Sequence, residues 1–289
     1  MEVPFPIIDA HLHWNSINEL DPAIARMILK EFPIFNELVK DDRNIQPLLD
    51  IMNHEGVEKC FVINYMSPRV MGYSFQTNDW VSDVCEESDG RMIPFGGVDP
   101  TSVENAGEKI RPYLESGKLK GIKIHGPHQL VSYSAYTRGL ESLRNLYEVC
   151  EELGVPVTFH TGSSIFPRAR SRFGNPLDLE DVLIDFPKMK VSMAHGGRPF
   201  WMREAEYLLS KFKNLYFDLS GIPPKLIPQW FPRFARYADR AMFASDFPSP
   251  GVPGIKKNAE SLYSLLKENY KLPDTTIHKI FYDNANSLL

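Results

Sequence analysis

A chain of 289 residues, 43% hydrophobic and 24% charged, has the composition of a soluble globular protein and the length for a sizeable core, which excludes a disordered chain. Its 32 basic against 37 acidic residues leave a formal charge of −5 without a long basic cluster, so the field that draws nucleic acid or an anionic membrane is missing. No apolar run approaches the ~18 residues of a membrane span, no signal peptide is visible, and Cys60, Cys85 and Cys150 are too few and too far apart for a disulfide framework or a thiolate zinc site, so a reduced, cytoplasmic protein is expected.

Short β-branched or apolar runs alternate with amphipathic segments. Strands are predicted over 6–13 (PIIDAHLH), 57–65, 91–98, 119–125 (LKGIKIH), 155–160 (VPVTFH), 189–195 (MKVSMAH), 214–220 (NLYFDLS) and 240–246 (RAMFASD). Extra helical material is expected in 15–45, after the first strand, and a long loop in 126–138, after the fourth. Residues 139–153 put Leu140, Leu143, Leu146, Val149 and Cys150 on one helical face, and Gly154 stops that helix. Residues 178–186 open with an acidic turn that suits a helix N-terminus, and Pro187 follows. Segments 199–212, 223–237 and 256–270 complete the helical set.

Strands alternating with helices pair in parallel through right-handed crossovers. Eight such units imply an α/β fold of the (β/α)8 TIM barrel type, distorted, with a helical insertion after strand 1; a doubly wound open sheet is the alternative. No repeat or linker divides the chain, so residues 1–289 form a single domain.

Five of the eight histidines, His11, His13, His125, His160 and His195, fall at or near predicted strand ends, and Asp246 ends the eighth strand. In a barrel those ends converge on the face where the loops carry chemistry. Asp9, His11 and His13 share one side of the first strand, read as the barrel interior, while Ile8, Ala10 and Leu12 share the other, read as packing on the helix ring. Two imidazoles at that spacing can hold one divalent metal, or form a hydrogen-bonded core pair. Their company with His160 and Asp246 favours the metal.

The segments IIDAHLHW, GIKIHGPHQ, VTFHTG, SMAHGG and FASDFPSP occur in that order, and the chain ends in YDNANSLL. This set resembles the amidohydrolase superfamily, and within it the amidohydrolase-related branch of metal-dependent hydrolases and decarboxylases. The resemblance runs from residue 6 to the last residue and implies a distorted (β/α)8 barrel. It implies metal ligation by His11, His13, His160 and Asp246, with His195 as a further ligand or the residue that orients the attacking water. The nitrogen and oxygen donors suit one divalent ion, zinc first, with manganese, iron or cobalt as alternatives. Such an ion acidifies water to a pKa near ~7. Asp246 would then move the proton, and His195 would hydrogen-bond the nucleophile or polarise a carbonyl.

Binuclear relatives carry a carbamylated lysine on the fourth strand. Here His125 ends that strand, so one metal is expected, with His125 lining the substrate pocket and Lys123 a layer below it, free to pair with a carboxylate such as Asp9. His128 is read as surface or substrate contact, and His54 and His278 as structural. Arg198, and one of Arg168, Arg170 and Arg172, can meet an acidic group on the substrate. Trp14, Phe166, Trp201 and Phe247 are candidate walls of the site or core residues.

The expected activity is hydrolysis of a small carbonyl compound (an amide, lactone or ester), with non-oxidative decarboxylation of an unsaturated or aromatic acid as the alternative. A metal-dependent nuclease is disfavoured by His125 and by the negative charge, and a non-catalytic scaffold by the complete ligand set. The expected partner is a small molecule, an acidic one fitting best, with neither nucleic acid nor membrane. A homo-oligomer is compatible with the sequence.

Overall fold

The computed structural model describes residues 1–249 and 254–289; Pro250, the last residue of the FASDFPSP segment, lies outside them. Eight parallel strands follow one another in chain order: β1 (Ile7–Leu12), β2 (Val57–Ile63), β3 (Met92–Gly96), β4 (Gly121–Ile124), β5 (Val157–His160), β6 (Val191–Ala194), β7 (Leu215–Asp218) and β8 (Ala241–Met242). Helices lie between them, so the fold is a nearly closed (β/α)8 barrel, as the alternation predicts.

Alternation along the later strands sorts their residues. Ile122, Ile124, Val157, Phe159, Val191, Met193, Leu215 and Phe217 join the large apolar cluster with helix residues such as Leu143, Leu146, Val182 and Leu208. Their neighbours Lys123, Thr158, His160, Ser192 and Asp218 therefore point inward. Cys60, Cys85 and Cys150 are free and buried.

β1 departs from the expected period of two. Its register against β2 shifts twice, between Ile7 and Ile8 and between Asp9 and Leu12, and irregularities of this kind re-aim the side chains beyond them. Of the three residues assigned to the helix ring, only Leu12 joins the outer cluster. Ile8 and Ala10 instead pack with Phe61, Ile63, Phe95, Met242 and Ala244, and Ala285 and Leu288 of the helix Asn284–Leu288 close that cluster. Above the bulge His11 points inward, where it meets Lys123 and Asp218.

β8 pairs over two residues only, and the seam to β1 closes through the chain beyond it. The Ala10 amide donates to the Phe243 carbonyl at 3.0 Å, the Asp246 amide to the His11 carbonyl at 2.8 Å and the His13 amide to the Phe247 carbonyl at 2.7 Å. The Asp9 carboxylate fills the broken ladder, accepting from the Ser245 amide at 2.9 Å and the His11 amide at 3.2 Å. Burial pushes its pKa up to about 7.

The helix expected at 139–153 forms over Glu141–Leu153 and ends at Gly154, whose φ of 66° is left-handed. The expected insertion holds the helix Pro22–Glu31, a tight turn at Pro33–Phe35 and the helix Asn36–Lys40. Two expectations are corrected. The 126–138 loop contains a helical turn, Gly126–Gln129, and a second, Ala135–Arg138. The 223–237 helix breaks into Pro224–Leu226, Ile227–Trp230 and Phe234–Arg236, because Pro228 and Pro232 remove amide donors from its interior. No helix among the described residues is long and apolar enough to cross a membrane.

Candidate metal centre

Three side-chain atoms meet where β1 and the chain after β8 end. One ligand atom each from His11, His13 and Asp246 lies within 4.8 Å of the other two. His13 Nε2 is 3.2 Å from Asp246 Oδ1, and His11 Nε2 is 3.9 Å from it. Asp246 takes a φ of 60°. That is left-handed backbone, which aspartate tolerates better than branched residues do.

The protons on these rings follow from their far sides. His11 Nδ1 lies 2.5 Å from Asp218 Oδ2. Burial alone would raise the Asp218 carboxyl, but His11 beside it holds its pKa below the usual value. An ionised carboxylate only accepts, so His11 Nδ1 carries the proton. His13 Nδ1 lies 3.3 Å from the Ile63 carbonyl, which also only accepts. In its neutral form each ring then turns a bare Nε2 toward a carboxylate oxygen. The Asp246 carboxyl is held well below the ordinary carboxylate range despite its burial. Three acceptors turned on one another repel unless a cation sits among them. The donor set, two imidazoles and a carboxylate without thiolate, fits a divalent metal. Lys123 Nζ, fully buried and 3.2 Å from His11 Nε2, points to the same spot. Burial lowers its pKa to about 8. It does not pair with Asp9, the partner considered from sequence.

The remaining histidines form a wall. His128 stacks on His125 with ring centroids 3.5 Å apart, and His125 on His160 at 3.7 Å. His160 then meets His195 edge-on at 4.6 Å. Burial drives the pKa of all four well below the usual imidazole value, so they are neutral. His160 ends β5 as expected, yet stands outside the three-atom cluster; its Nε2 donates to the Ser163 carbonyl at 3.1 Å and its Nδ1 keeps the lone pair. His125 Nδ1 is buried without a partner. His128, read as surface or substrate contact, is buried and bridges the Tyr65 hydroxyl at 2.8 Å and Ser164 Oγ at 2.7 Å. His54 is exposed and His278 packs on Phe5, both outside the site.

These groups floor a cavity of about 670 Å³, lined by His13, Lys123, His125, His128, His160, His195, Arg198 and Asp246 below and by Ile17, Ile28, Phe32, Phe35, Met71, Tyr73, Ile165, Phe166, Ile222 and Trp230 around them. Arg198 Nη2 lies 3.3 Å from Asp246 Oδ2, and its buried Nε has no partner. Gly221 leaves room for that guanidinium: a Cβ there would lie 2.1 Å from Nη2. Among the aromatic residues singled out in the sequence, Phe166 lines the cavity, whereas Trp201 and Phe247 do not. Trp14 is corrected: it is fully buried against Phe35, at 5.9 Å between rings, and belongs to the core rather than to the substrate wall. Arg168 is tied to Asp21 at 2.8 Å, Arg172 lies over the Phe173 ring, and Arg170 bonds nearby carbonyls.

Sequence reasoning missed Asp218, Tyr65, Phe32 and Phe35. Tyr65 closes the predicted strand 57–65, where the rule that found the histidines applies to it as well, whereas Asp218 falls inside the predicted strand 214–220. The two phenylalanines come from the insertion, where nothing in their spacing marks a wall.

A family model described as Amidohydrolase matches residues 8–289. Solved structures share the fold. An uncharacterised TIM-barrel protein from Bordetella bronchiseptica is 20% identical, with a TM-score of 0.73 and 98% of each chain covered. 5-Carboxyvanillate decarboxylase from Novosphingobium aromaticivorans, complexed with manganese, is 15% identical, with a TM-score of 0.63 over 99% of this chain and 96% of that one. Dihydroorotase from Campylobacter jejuni is 15% identical, with a TM-score of 0.57 over 98% and 82%. A search of curated protein sequences gives no match.

Proposed function

The chain belongs to the amidohydrolase family, and from that premise we propose that it is a metal-dependent hydrolase of a small carbonyl compound: an amide, a lactone or an ester. The observation that carries this reading is the meeting of two imidazole nitrogens and a carboxylate oxygen at the cavity, which His13 and Asp246 line and behind which His11 is buried. His11, His13 and Asp246 would hold one divalent ion, zinc for choice, with His160 joining through Nδ1; manganese, iron or cobalt are the alternatives. When bound, that ion supplies Lewis acidity, polarising a carbonyl and making water a better nucleophile near neutral pH.

The chain's own groups do the rest. Asp246 takes the proton of the attacking water and passes it to the leaving group. His195, on the cavity wall, accepts a hydrogen bond from that water and orients it. His125 contacts the substrate, and Arg198 meets an acidic group on it. Arg198→Lys then raises KM for acidic substrates by about tenfold or more, since a point charge replaces a planar fork. Neutral substrates keep their KM. An equal loss on both, read from steady-state kinetics, would assign Arg198 to holding Asp246 instead.

One observation favours a second reading. The floor carries two cations, Lys123 and Arg198, under aromatic walls, which suits the carboxylate of an aromatic or unsaturated acid. Such an acid would lose CO₂ and take a proton at carbon. Metal analysis of the purified protein, then a screen of lactones, amides, esters and aromatic acids with CO₂ detection, separates the two. An acid product without CO₂ supports the hydrolase, whereas CO₂ release overturns it in favour of the decarboxylase.

A further inference from the structure

β7 ends at Asp218, and the next two residues turn back beneath two of the site's histidines. Asp218 spends its two oxygens differently: Oδ1 accepts from the Ser220 amide at 2.8 Å, and Oδ2 faces His11 Nδ1 at 2.5 Å. Two residues on, the Ser220 carbonyl lies 3.0 Å from His195 Nδ1, and Ser220 Oγ lies 2.9 Å from the same atom. A carbonyl has no proton to give, so the bond to it puts the proton on His195 Nδ1, and the Ser220 hydroxyl, which can accept as well as donate, is compatible with that. Asp218, Ser220 and His11 are completely buried, and His195 nearly so, leaving bulk solvent little access to these bonds.

We propose that the segment Asp218 to Ser220 sets the tautomer of both His11 and His195, holding each as Nδ1–H and turning each Nε2 lone pair toward the site. The proposal deepens the metal reading and, for the ligand His11, rests on it. Lys123, which comes from another strand, adds a geometric observation: its Nζ, which carries hydrogens to donate, lies 3.2 Å from His11 Nε2.

For His195 the consequence is chemical. A ring whose proton is committed to the Ser220 carbonyl has an acceptor at Nε2. It can take a hydrogen bond from water or bind a cation, but it cannot donate to a substrate carbonyl. Of the roles that the sequence left open for His195, polarising a carbonyl is therefore excluded. Asp218 and Ser220 touch no reacting atom, so both are positioning residues.

The test begins with the metal-free protein at neutral pH, its histidines labelled with ¹⁵N. Long-range ¹H–¹⁵N spectra distinguish the two neutral tautomers, and both His11 and His195 are expected as Nδ1–H. Either ring found as Nε2–H overturns the proposal. Asp218→Asn adds a directional test. The asparagine has one oxygen, which the Ser220 amide claims, so its NH₂ faces His11 Nδ1 and drives the ring to Nε2–H, the fault known from Asp→Asn exchange in catalytic triads. Metal affinity, measured by competition with a chromophoric chelator, should then fall by about 10–100-fold, the usual cost of losing a carboxylate behind a metal-binding histidine. Ser220→Ala keeps the carbonyl and should leave His195 as Nδ1–H. An Asp218→Asn protein with His11 still Nδ1–H and an unchanged metal Kd sinks the idea. If that variant does not fold, the wild-type spectrum decides alone. If the wild type shows both Nδ1–H rings yet binds no divalent ion, the metal reading falls and the tautomer assignment stands.

Discussion

Asp246→Asn lowers turnover by at least the ~10²–10⁴-fold typical of removing a general acid–base. The substitution is close to isosteric, and asparagine accepts the left-handed φ of 60° found at this position. What it removes is charge and basicity. The carboxylate faces His13 through Oδ1 at 3.2 Å and Arg198 through Oδ2 at 3.3 Å, and an amide oxygen serves either partner more weakly. The histidine ligands should still retain metal, with lower affinity. The measurement is kcat on protein whose metal content has been confirmed by mass spectrometry. Near-normal turnover in metal-loaded Asp246→Asn would transfer the proton-moving role to His195 or His125 and leave Asp246 as a ligand only.

Replacing His11 and His13 together by alanine abolishes the bound ion. The wild type should carry about one divalent ion per chain; the double variant, left with a carboxylate and His160, should carry none, because those two do not make a structural or catalytic site. Stability falls as well. Without His11 the Asp218 carboxylate and the Lys123 ammonium lose their shared partner in the fully buried interior. A buried polar group left unsatisfied costs about 1–3 kcal/mol, and more when charged. Metal content by mass spectrometry and Tm by calorimetry read the two effects separately. A full metal equivalent in the double variant would locate the ion elsewhere.

Much of this was legible in the residues. Strand–helix alternation yields the barrel because each strand's apolar run is local information, and the histidines cluster because strand ends share one face. The parts that failed depend on something the local pattern does not contain. The bulge in β1 exists only against β2, so the inward turn of Ile8 and Ala10 could not be read from β1 alone. The segment 214–220 reads as one unbroken strand, which puts Asp218 mid-strand. In the fold its own side chain captures the Ser220 amide, stops β7 there and frees the carboxylate for His11. Trp14 follows His13 directly and looked equally suited to wall or core; packing against Phe35 of the insertion decides for the core. Phe32 and Phe35 reach the cavity only because the insertion folds over it, held partly by the Asp21–Arg168 ion pair.

The seam between β1 and the chain beyond β8 has a consequence for how the protein comes into being. The Asp9 carboxylate and the Ser245 amide it holds are 236 residues apart in the chain. His11 and His13 leave the ribosome early, while Asp246 follows more than two hundred residues later, on the order of ten seconds or longer at ordinary rates of synthesis. Throughout that interval the two imidazoles have no carboxylate to complete them and hold a metal poorly. Contacts of such long range are also the slowest to form. On the proposed metal reading, the ion would be captured at the end of folding, and its capture would reward the one event that joins the first strand to the last.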